Sequence, residues 1–151
     1  MIMEKKMLLI IVMAVSALAA QAQDVVKWTF SANKTGEKTY EVHLLATLEA
    51  PWKIYSQHTP AGGPLPTKIK FDKNPLVIMQ GKVKELGQQE KKFERAFDVD
   101  VLFYHGQVDF VQTVRLKTAV DTFISGNIDF MSCNETQCLP AAKTNFKIEL
   151  K

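Results

Sequence analysis

The chain has 151 residues, a hydrophobic content of 46% and a formal net charge of +3, which indicates one globular domain with a single hydrophobic core. The charge is too small and too evenly spread to indicate a nucleic-acid-binding protein. Because the chain contains two cysteines, only one intramolecular disulfide pairing is possible.

The N-terminus has the pattern of a secretory signal peptide. Lys5-Lys6 precedes an apolar run over residues 7–20, and Ala20-Gln21-Ala22 fits the small-x-small pattern of a cleavage site. The apolar run is too short to span a bilayer comfortably, which favours cleavage over an uncleaved membrane anchor. We therefore expect residues 1–22 to be removed and residues 23–151 to form a periplasmic domain, in an oxidising compartment where a disulfide persists.

Alternating apolar and polar residues predict strands along the rest of the chain. In chain order the predicted strand segments are 26–30, 40–48, 51–55, 69–71, 76–80, 97–103, 108–116, 122–133 and 138–150. No segment has the pattern of an amphipathic helix, and the turn signals recur at the spacing of an all-β sandwich.

Two intervening segments carry their own predictions. Residues 82–95 contain eight charged residues and one aromatic residue, and we interpret them as a solvated loop or an edge segment. Residues 104–107 contain Gly106 and predict a tight turn, which would make 108–116 the hairpin partner of 97–103.

The stretch around the two cysteines is the main candidate site. Strand-like alternation ends at Cys133 and resumes after Pro140, and the four residues 134–137 between the cysteines are polar, as in a hairpin loop. Residues that flank such a loop face each other at roughly 4.5–5.5 Å between their Cα atoms, a separation that a disulfide can bridge. The spacing therefore permits a bond between Cys133 and Cys138.

The residues alone do not decide whether such a bond is redox-active or structural. In the chain-entropy model, closing a loop of about six residues stabilises a protein by roughly 2 kcal/mol, against nearly 5 kcal/mol for a loop of about 100 residues. A cross-strand bond at a surface loop is also accessible and easily strained, which raises its reduction potential. These points favour redox chemistry, whereas the frequency of structural disulfides in exported proteins favours a bond that only fixes a binding loop.

The same residues resemble a known family. An all-β, exported chain with a C-terminal cysteine pair, in which the second cysteine begins the motif Cys138-Leu139-Pro140, resembles the periplasmic N-terminal domain of the DsbD thiol:disulfide interchange protein. Residues 52–56, 63–67 and 104–108 are similar to further segments of that domain. The resemblance covers residues 25–151 and implies an immunoglobulin-like β-sandwich with the cysteine pair in a C-terminal hairpin.

The resemblance also implies a function, thiol-disulfide exchange of the protein-disulfide reductase type. Electrons would pass from a membrane-embedded donor to periplasmic thiol-disulfide proteins, among them disulfide isomerases and thioredoxin-like proteins of cytochrome c maturation. Cys138 matches the cysteine that engages partners, and Cys133 matches the resolving cysteine. The family shields its cysteine pair with a phenylalanine on a cap loop, for which Phe97 lies at the matching position and Phe93 is the second candidate. Tyr55 matches an aromatic position near the site.

Two features depart from the family pattern. The best-known members have five residues between the cysteines, and this chain has four. The full-length family protein continues into a membrane domain and a thioredoxin-like domain, whereas the sequence stops at Lys151. We therefore expect the electron donor to be a separate polypeptide; the alternative is a domain retained only for binding.

The exchange reaction needs no metal or organic cofactor. Lys143 is the nearest basic residue in sequence to support a thiolate, and Glu135 opposes it, which predicts a modest nucleophile. A metal site made of the cysteines with His43, His58 or His105 is disfavoured because no two histidines lie at ligand spacing. A structural or binding module is the remaining alternative, since sandwiches of this type host many unrelated functions.

Overall fold

The structure, a computed structural model, describes residues 25–151, so the expected signal peptide over residues 1–22 lies outside the described residues. The described chain folds entirely into strands and turns, and it holds no helix long and apolar enough to cross a bilayer. The strands are β1 (Val26–Lys34), β2 (Thr39–Leu48), β3 (Lys53–Tyr55), β4 (Lys68–Phe71), β5 (Val77–Leu86), β6 (Glu90–Glu94), β7 (Val99–His105), β8 (Gln107–Leu116), β9 (Thr122–Phe130), β10 (Ser132–Cys133) and β11 (Ala142–Leu150).

These strands form antiparallel sheets that enclose one main hydrophobic core. The strand orders are β1-β2-β8-β5, β10-β3-β7-β6 and β11-β9-β4, and we call the second of them the cleft sheet. Each sheet contributes fully buried side chains to the core, among them Leu44, Phe110, Ile54, Tyr104, Ile124, Ile128 and Leu150. The predicted all-β sandwich is confirmed.

Period-two alternation explains the longest strands. Along β2 the side chains of Val42, Leu44 and Ala46 are fully buried, while the residues between them lie on the outer face. β8 and β11 repeat the pattern, because every second residue must face the core of a sandwich. The strand predictions for 40–48, 108–116 and 138–150 therefore fall on the observed strands β2, β8 and β11.

The predicted hairpin between 97–103 and 108–116 is wrong. A turn does form at Gly106, which has a φ of 70°, but β7 pairs with β3 and β6 whereas β8 pairs with β2 and β5. Because β2 and β5 occupy both edges of β8, no edge remains for β7. The chain therefore passes from one sheet to another at Gly106.

The charged segment 82–95 contains parts of two edge strands rather than a loop. β5 extends to Leu86 at one edge of its sheet, and β6 (Glu90–Glu94) lies at the edge of the cleft sheet. Charged side chains are usual on edge strands because they discourage pairing with other chains. Of the two interpretations offered by the sequence, the edge segment is the one observed.

Gly126 lies where β9 leaves no room for a side chain beside β4. A Cβ atom at this position would overlap the backbone carbonyl oxygen of Lys70 and would lie 2.8 Å from Cζ of Phe146. Only a residue without a side chain lets β4 pair with β9 here. This pairing matters for the site, because β4 follows directly on the loop 63–66.

We expect Gly126→Ala to lower the free energy of unfolding by about 3 kcal/mol, because β4 must move away from β9 to make room for the methyl group. Urea unfolding followed by circular dichroism measures the change. Gly36→Ala is the matched control, since a Cβ there lies 3.4 Å from the nearest atom, a side-chain carbon of Thr39. Equal urea midpoints for the two variants would contradict the close approach.

Candidate functional site

Cys133 and Cys138 form a disulfide at the tip of the β9–β11 hairpin. Their Cα atoms are 4.0 Å apart. The loop between them is closed by its own hydrogen bonds: the Asn134 backbone N–H donates to the Gln137 carbonyl oxygen at 2.9 Å, and Asn134 Oδ1 accepts from the Gln137 N–H at 2.8 Å. Asn134 therefore holds the short connection in one conformation.

The two cysteines differ in exposure because the chain changes partner between them. Before reaching the loop it leaves β9 and forms β10, whose residues Ser132 and Cys133 pair with Ile54 and Lys53 of β3. Cys133 is therefore 1% exposed, whereas Cys138 lies on the surface. A protein that approaches from solvent meets the sulfur of Cys138 first.

A second, smaller apolar cluster surrounds Cys133 on the outer face of the cleft sheet. Directly opposed residues in an antiparallel pair point to the same face, so the pairs Cys133–Lys53 and Tyr55–Phe103 share one face. With Val101, the three apolar residues of these pairs form a buried cluster separate from the main core. The cleft sheet therefore carries buried side chains on both faces.

An open cleft of about 660 Å³ lies over this face and exposes the disulfide; we call it the cysteine cleft. Its walls come from the loop between the cysteines, the residues Gly63, Pro64 and Leu65, and the end of the β6–β7 hairpin. The cleft therefore unites three segments that the sequence analysis considered separately.

Phe97, and not Phe93, lines the cleft that contains the disulfide. Phe97 lies in the turn between β6 and β7, lines the cysteine cleft and is 47% exposed. Phe93 pairs with Asp100, on the opposite face of the sheet from Val99 and Val101, and is 52% exposed. Because side chains alternate between the faces of a strand, Phe93 points away from the cleft.

Tyr55, the candidate near-site aromatic residue, is buried in the same cluster as Cys133. Its backbone carbonyl oxygen accepts a hydrogen bond of 2.6 Å from Thr67 Oγ1. Burial, and then the negative charges of Glu94 and Glu135, raise the pKa of Tyr55 to about 12. The phenol is therefore neutral at physiological pH and contributes apolar surface next to Cys133.

Both signs of charge line the cysteine cleft. Lys92 Nζ lies 3.5 Å from Glu94 Oε1 and 3.7 Å from Glu135 Oε2, so the same ammonium group forms ion pairs with two carboxylates. Glu135, expected to oppose a thiolate, does lie in the cleft lining. Lys143, the nearest basic residue in sequence, instead pairs with Asp129 at 3.4 Å.

Sequence reasoning missed Lys53. This residue is 4% exposed, lines the cysteine cleft and lies directly across the strand pair from Cys133. Because eighty residues separate Lys53 from Cys133 in the chain, the sequence alone does not indicate that the two side chains are neighbours. The available signal was a lysine inside the otherwise apolar segment Trp52-Lys53-Ile54-Tyr55, because a lysine that is drawn into a buried strand usually has a specific reason to be there.

The histidines do not gather at the cysteines. His43 Nδ1 contacts Asp109 Oδ2 at 2.7 Å on the first sheet, and His105 Nδ1 contacts Glu90 Oε1 at 2.8 Å on the cleft sheet. Across residues 25–151, no group of three or more histidine, cysteine or acidic side chains is arranged to hold a metal ion.

Comparison with known proteins identifies relatives of this architecture. Residues 19–150 match the family described as thiol:disulfide interchange protein DsbD, N-terminal. No curated protein sequence matches. Among solved structures, the reduced DsbD N-terminal domain of Neisseria meningitidis is 17% identical with a TM-score of 0.54, and the alignment covers 89% of this chain and 91% of that one.

Two further structures share the fold. The N-terminal periplasmic domain of ScsB from Proteus mirabilis is 16% identical with a TM-score of 0.55, covering 88% of this chain and 49% of that one. A complex between the DsbD and PilB N-terminal domains of Neisseria meningitidis gives 14% identity and a TM-score of 0.53, covering 86% and 87%. The expected immunoglobulin-like sandwich with a C-terminal cysteine pair is confirmed.

After reduction, we expect N-ethylmaleimide to modify Cys138 about tenfold or more faster than Cys133, because a buried thiol is inert towards solvent reagents. The measurement is mass spectrometry on a time course of the single-cysteine variants Cys133→Ala and Cys138→Ala. In urea the two rates should become similar, which controls for intrinsic reactivity. Similar rates in the folded protein would contradict the asymmetry.

Proposed function

The chain belongs to the family of the DsbD N-terminal domain, and on this basis we propose that it performs thiol-disulfide exchange through a reversible Cys133–Cys138 bond. The observation that carries the proposal is the unequal exposure of the two cysteine residues, which both line an open cleft. An exchange reaction needs one sulfur that a partner can reach and a second that stays protected until the mixed disulfide has formed.

The proposed reaction passes two electrons from a partner dithiol to this protein. A partner thiolate attacks Sγ of Cys138, the Cys133–Cys138 bond breaks, and Cys133 leaves as a thiolate with the bonding electron pair. The second partner thiolate then attacks the partner sulfur of the mixed disulfide and releases Cys138. The partner is oxidised to a disulfide, and the cysteine pair is reduced.

Delivery of the electrons is the reverse sequence. The Cys138 thiolate attacks the disulfide of an oxidised partner, and the Cys133 thiolate resolves the mixed disulfide by attacking Sγ of Cys138. The recipient is thereby reduced to a dithiol. No metal or organic cofactor takes part in either direction.

The proposed partners are proteins with reactive cysteine pairs. The proposed donor is a membrane-embedded thiol-disulfide protein, and the proposed recipients are periplasmic thioredoxin-like proteins, disulfide isomerases or cytochrome c maturation proteins. The solved complex of a DsbD N-terminal domain with a PilB N-terminal domain supports this class of contact. The proposed location is the periplasm, reached after removal of residues 1–22, and the relative from Proteus mirabilis is described as a periplasmic domain.

Phe97 is the proposed cap of the site. Its ring lies in the cysteine cleft with the disulfide, and the turn that carries it joins two strands of the cleft sheet. An aromatic ring held over a reduced pair limits its contact with oxidants until a partner displaces the turn. Tyr55 lines the same cleft from below and keeps the surroundings of Cys133 apolar.

We expect the equilibrium reduction potential of the Cys133–Cys138 pair to lie above about −250 mV, the range of exchangeable disulfides. Thiol trapping of purified protein across a glutathione redox series measures it. In the same experiment Cys133→Ala should accumulate a mixed disulfide with glutathione, and Cys138→Ala should not. A potential below roughly −300 mV would identify a structural bond and exclude the exchange function.

Removal of the cap should expose the reduced pair. In Phe97→Ala we expect Cys138 to react several-fold faster with an aromatic disulfide reagent, followed by stopped-flow absorbance, because the ring no longer limits access. Phe93→Ala is the matched control, an exposed phenylalanine of the same hairpin that points to the other face. The cap assignment is wrong if the two variants react at the same rate.

A further inference from the structure

We propose that the ammonium group of Lys53 stabilises the Cys133 thiolate that forms whenever the disulfide opens. Lys53 would then be a positioning residue for exchange, one that acts on the reactivity of a cysteine without touching the partner. The inference deepens, and rests on, the exchange function proposed above.

The strand pairing places the two side chains side by side. Lys53 is the register partner of Cys133 in the β3–β10 pair, and directly opposed residues have Cβ atoms about 4.5–5.5 Å apart on the same face. Both residues are buried, at 4% and 1% exposure, and both line the cysteine cleft. The lysine therefore shares the low-dielectric surroundings of the sulfur.

Lys53 carries a charge that its neighbours do not neutralise. Among residues 25–151 it forms no ion pair with a carboxylate. Its Nζ atom lies 4.6 Å from the ring centroid of Phe103 and 6.0 Å from that of Tyr55. Aromatic rings attract an ammonium group and offset part of its burial cost, but they leave its positive charge in place.

The other charged groups around Cys133 do not supply this stabilisation. Glu94 and Glu135 disfavour a second negative charge in the cleft, and burial of the sulfur acts in the same direction. Lys92 is already shared between these two carboxylates. On the far side of Lys53, the His105 ring is paired with Glu90 at 2.8 Å. Lys53 is thus the cation in the described cleft whose charge is available to the thiolate.

The thiolate of Cys133 has a part in both directions of the proposed reaction. When a partner attacks Cys138, Cys133 is the leaving group, and a leaving thiol with a lower pKa departs faster. When the mixed disulfide is resolved, Cys133 is the nucleophile and must be ionised. An adjacent ammonium group favours the ionised form in each case.

The test uses the Cys138→Ala variant, in which Cys133 is the only thiol. Adding Lys53→Met should raise the pKa of Cys133 by about one unit, which lowers its ionised fraction at neutral pH about tenfold. The ultraviolet absorbance of the thiolate across a pH series measures the pKa. Lys53→Arg should restore the lower value, and Lys143→Met, which removes a lysine outside the cleft, should leave it unchanged.

An unchanged Cys133 pKa in a Lys53→Met protein with native circular dichroism would overturn the proposal. If that variant does not fold, the Cys138→Ala protein itself provides the test through ¹³C-labelled lysine. The Lys53 Cε resonance should then shift with the midpoint of Cys133 ionisation, and a resonance that does not follow this midpoint would also overturn the proposal. Neither readout depends on the reduction potential, so failure of the exchange function is detected separately.

Discussion

The site depends on one short pairing, in which Ser132 and Cys133 leave the β9–β11 hairpin and join β3 as β10. Without it, both cysteines would lie at the tip of a solvent-exposed hairpin and would be equivalent to an approaching partner. The pairing buries one sulfur beneath the cleft and leaves the other at its rim. It also sets Lys53 opposite Cys133, so the chemical difference between the cysteines and their electrostatic surroundings have the same structural origin.

The position of β3 is fixed from the opposite face of the cleft sheet. Glu85 Oε2 accepts hydrogen bonds from Tyr104 Oη at 2.6 Å and from Ser56 Oγ at 2.7 Å, and Glu85 Oε1 accepts from the Gln57 backbone N–H at 2.7 Å. Burial and the contact with Glu85 raise the pKa of Tyr104, so its hydroxyl group remains a donor. This network ties the end of β3 to β5 and β7. Tyr55 and its neighbours thereby meet the cysteine loop in a fixed orientation.

The sequence pattern predicted the strands that show local alternation of apolar and polar residues. It did not predict which strands pair, because pairing depends on contacts between segments that are distant in the chain. β2 and β8 were predictable because each keeps one face to the core, and the cysteine bond was predictable from spacing. The pairing of β7 was not predictable in this way, because β2 and β5, both distant from β7 in sequence, occupy the two edges of β8. The choice between Phe97 and Phe93 requires the register of β6 with β7, and the proximity of Lys53 to Cys133 exists only across strands. The assignment of roles to the cysteines came from the family resemblance rather than from the pattern.

The cysteine cleft lies on the outer face of a sheet whose inner face contributes Ile54 and Tyr104 to the main core. Under the proposed exchange function, folding and partner recognition draw on different side chains of the same three-residue strand, β3. Substitutions on the cleft face would then act on the proposed partner contacts and leave the side chains of the main core in place. The core face can therefore be retained while the cleft face diverges, and solved structures at 14–17% sequence identity share the architecture.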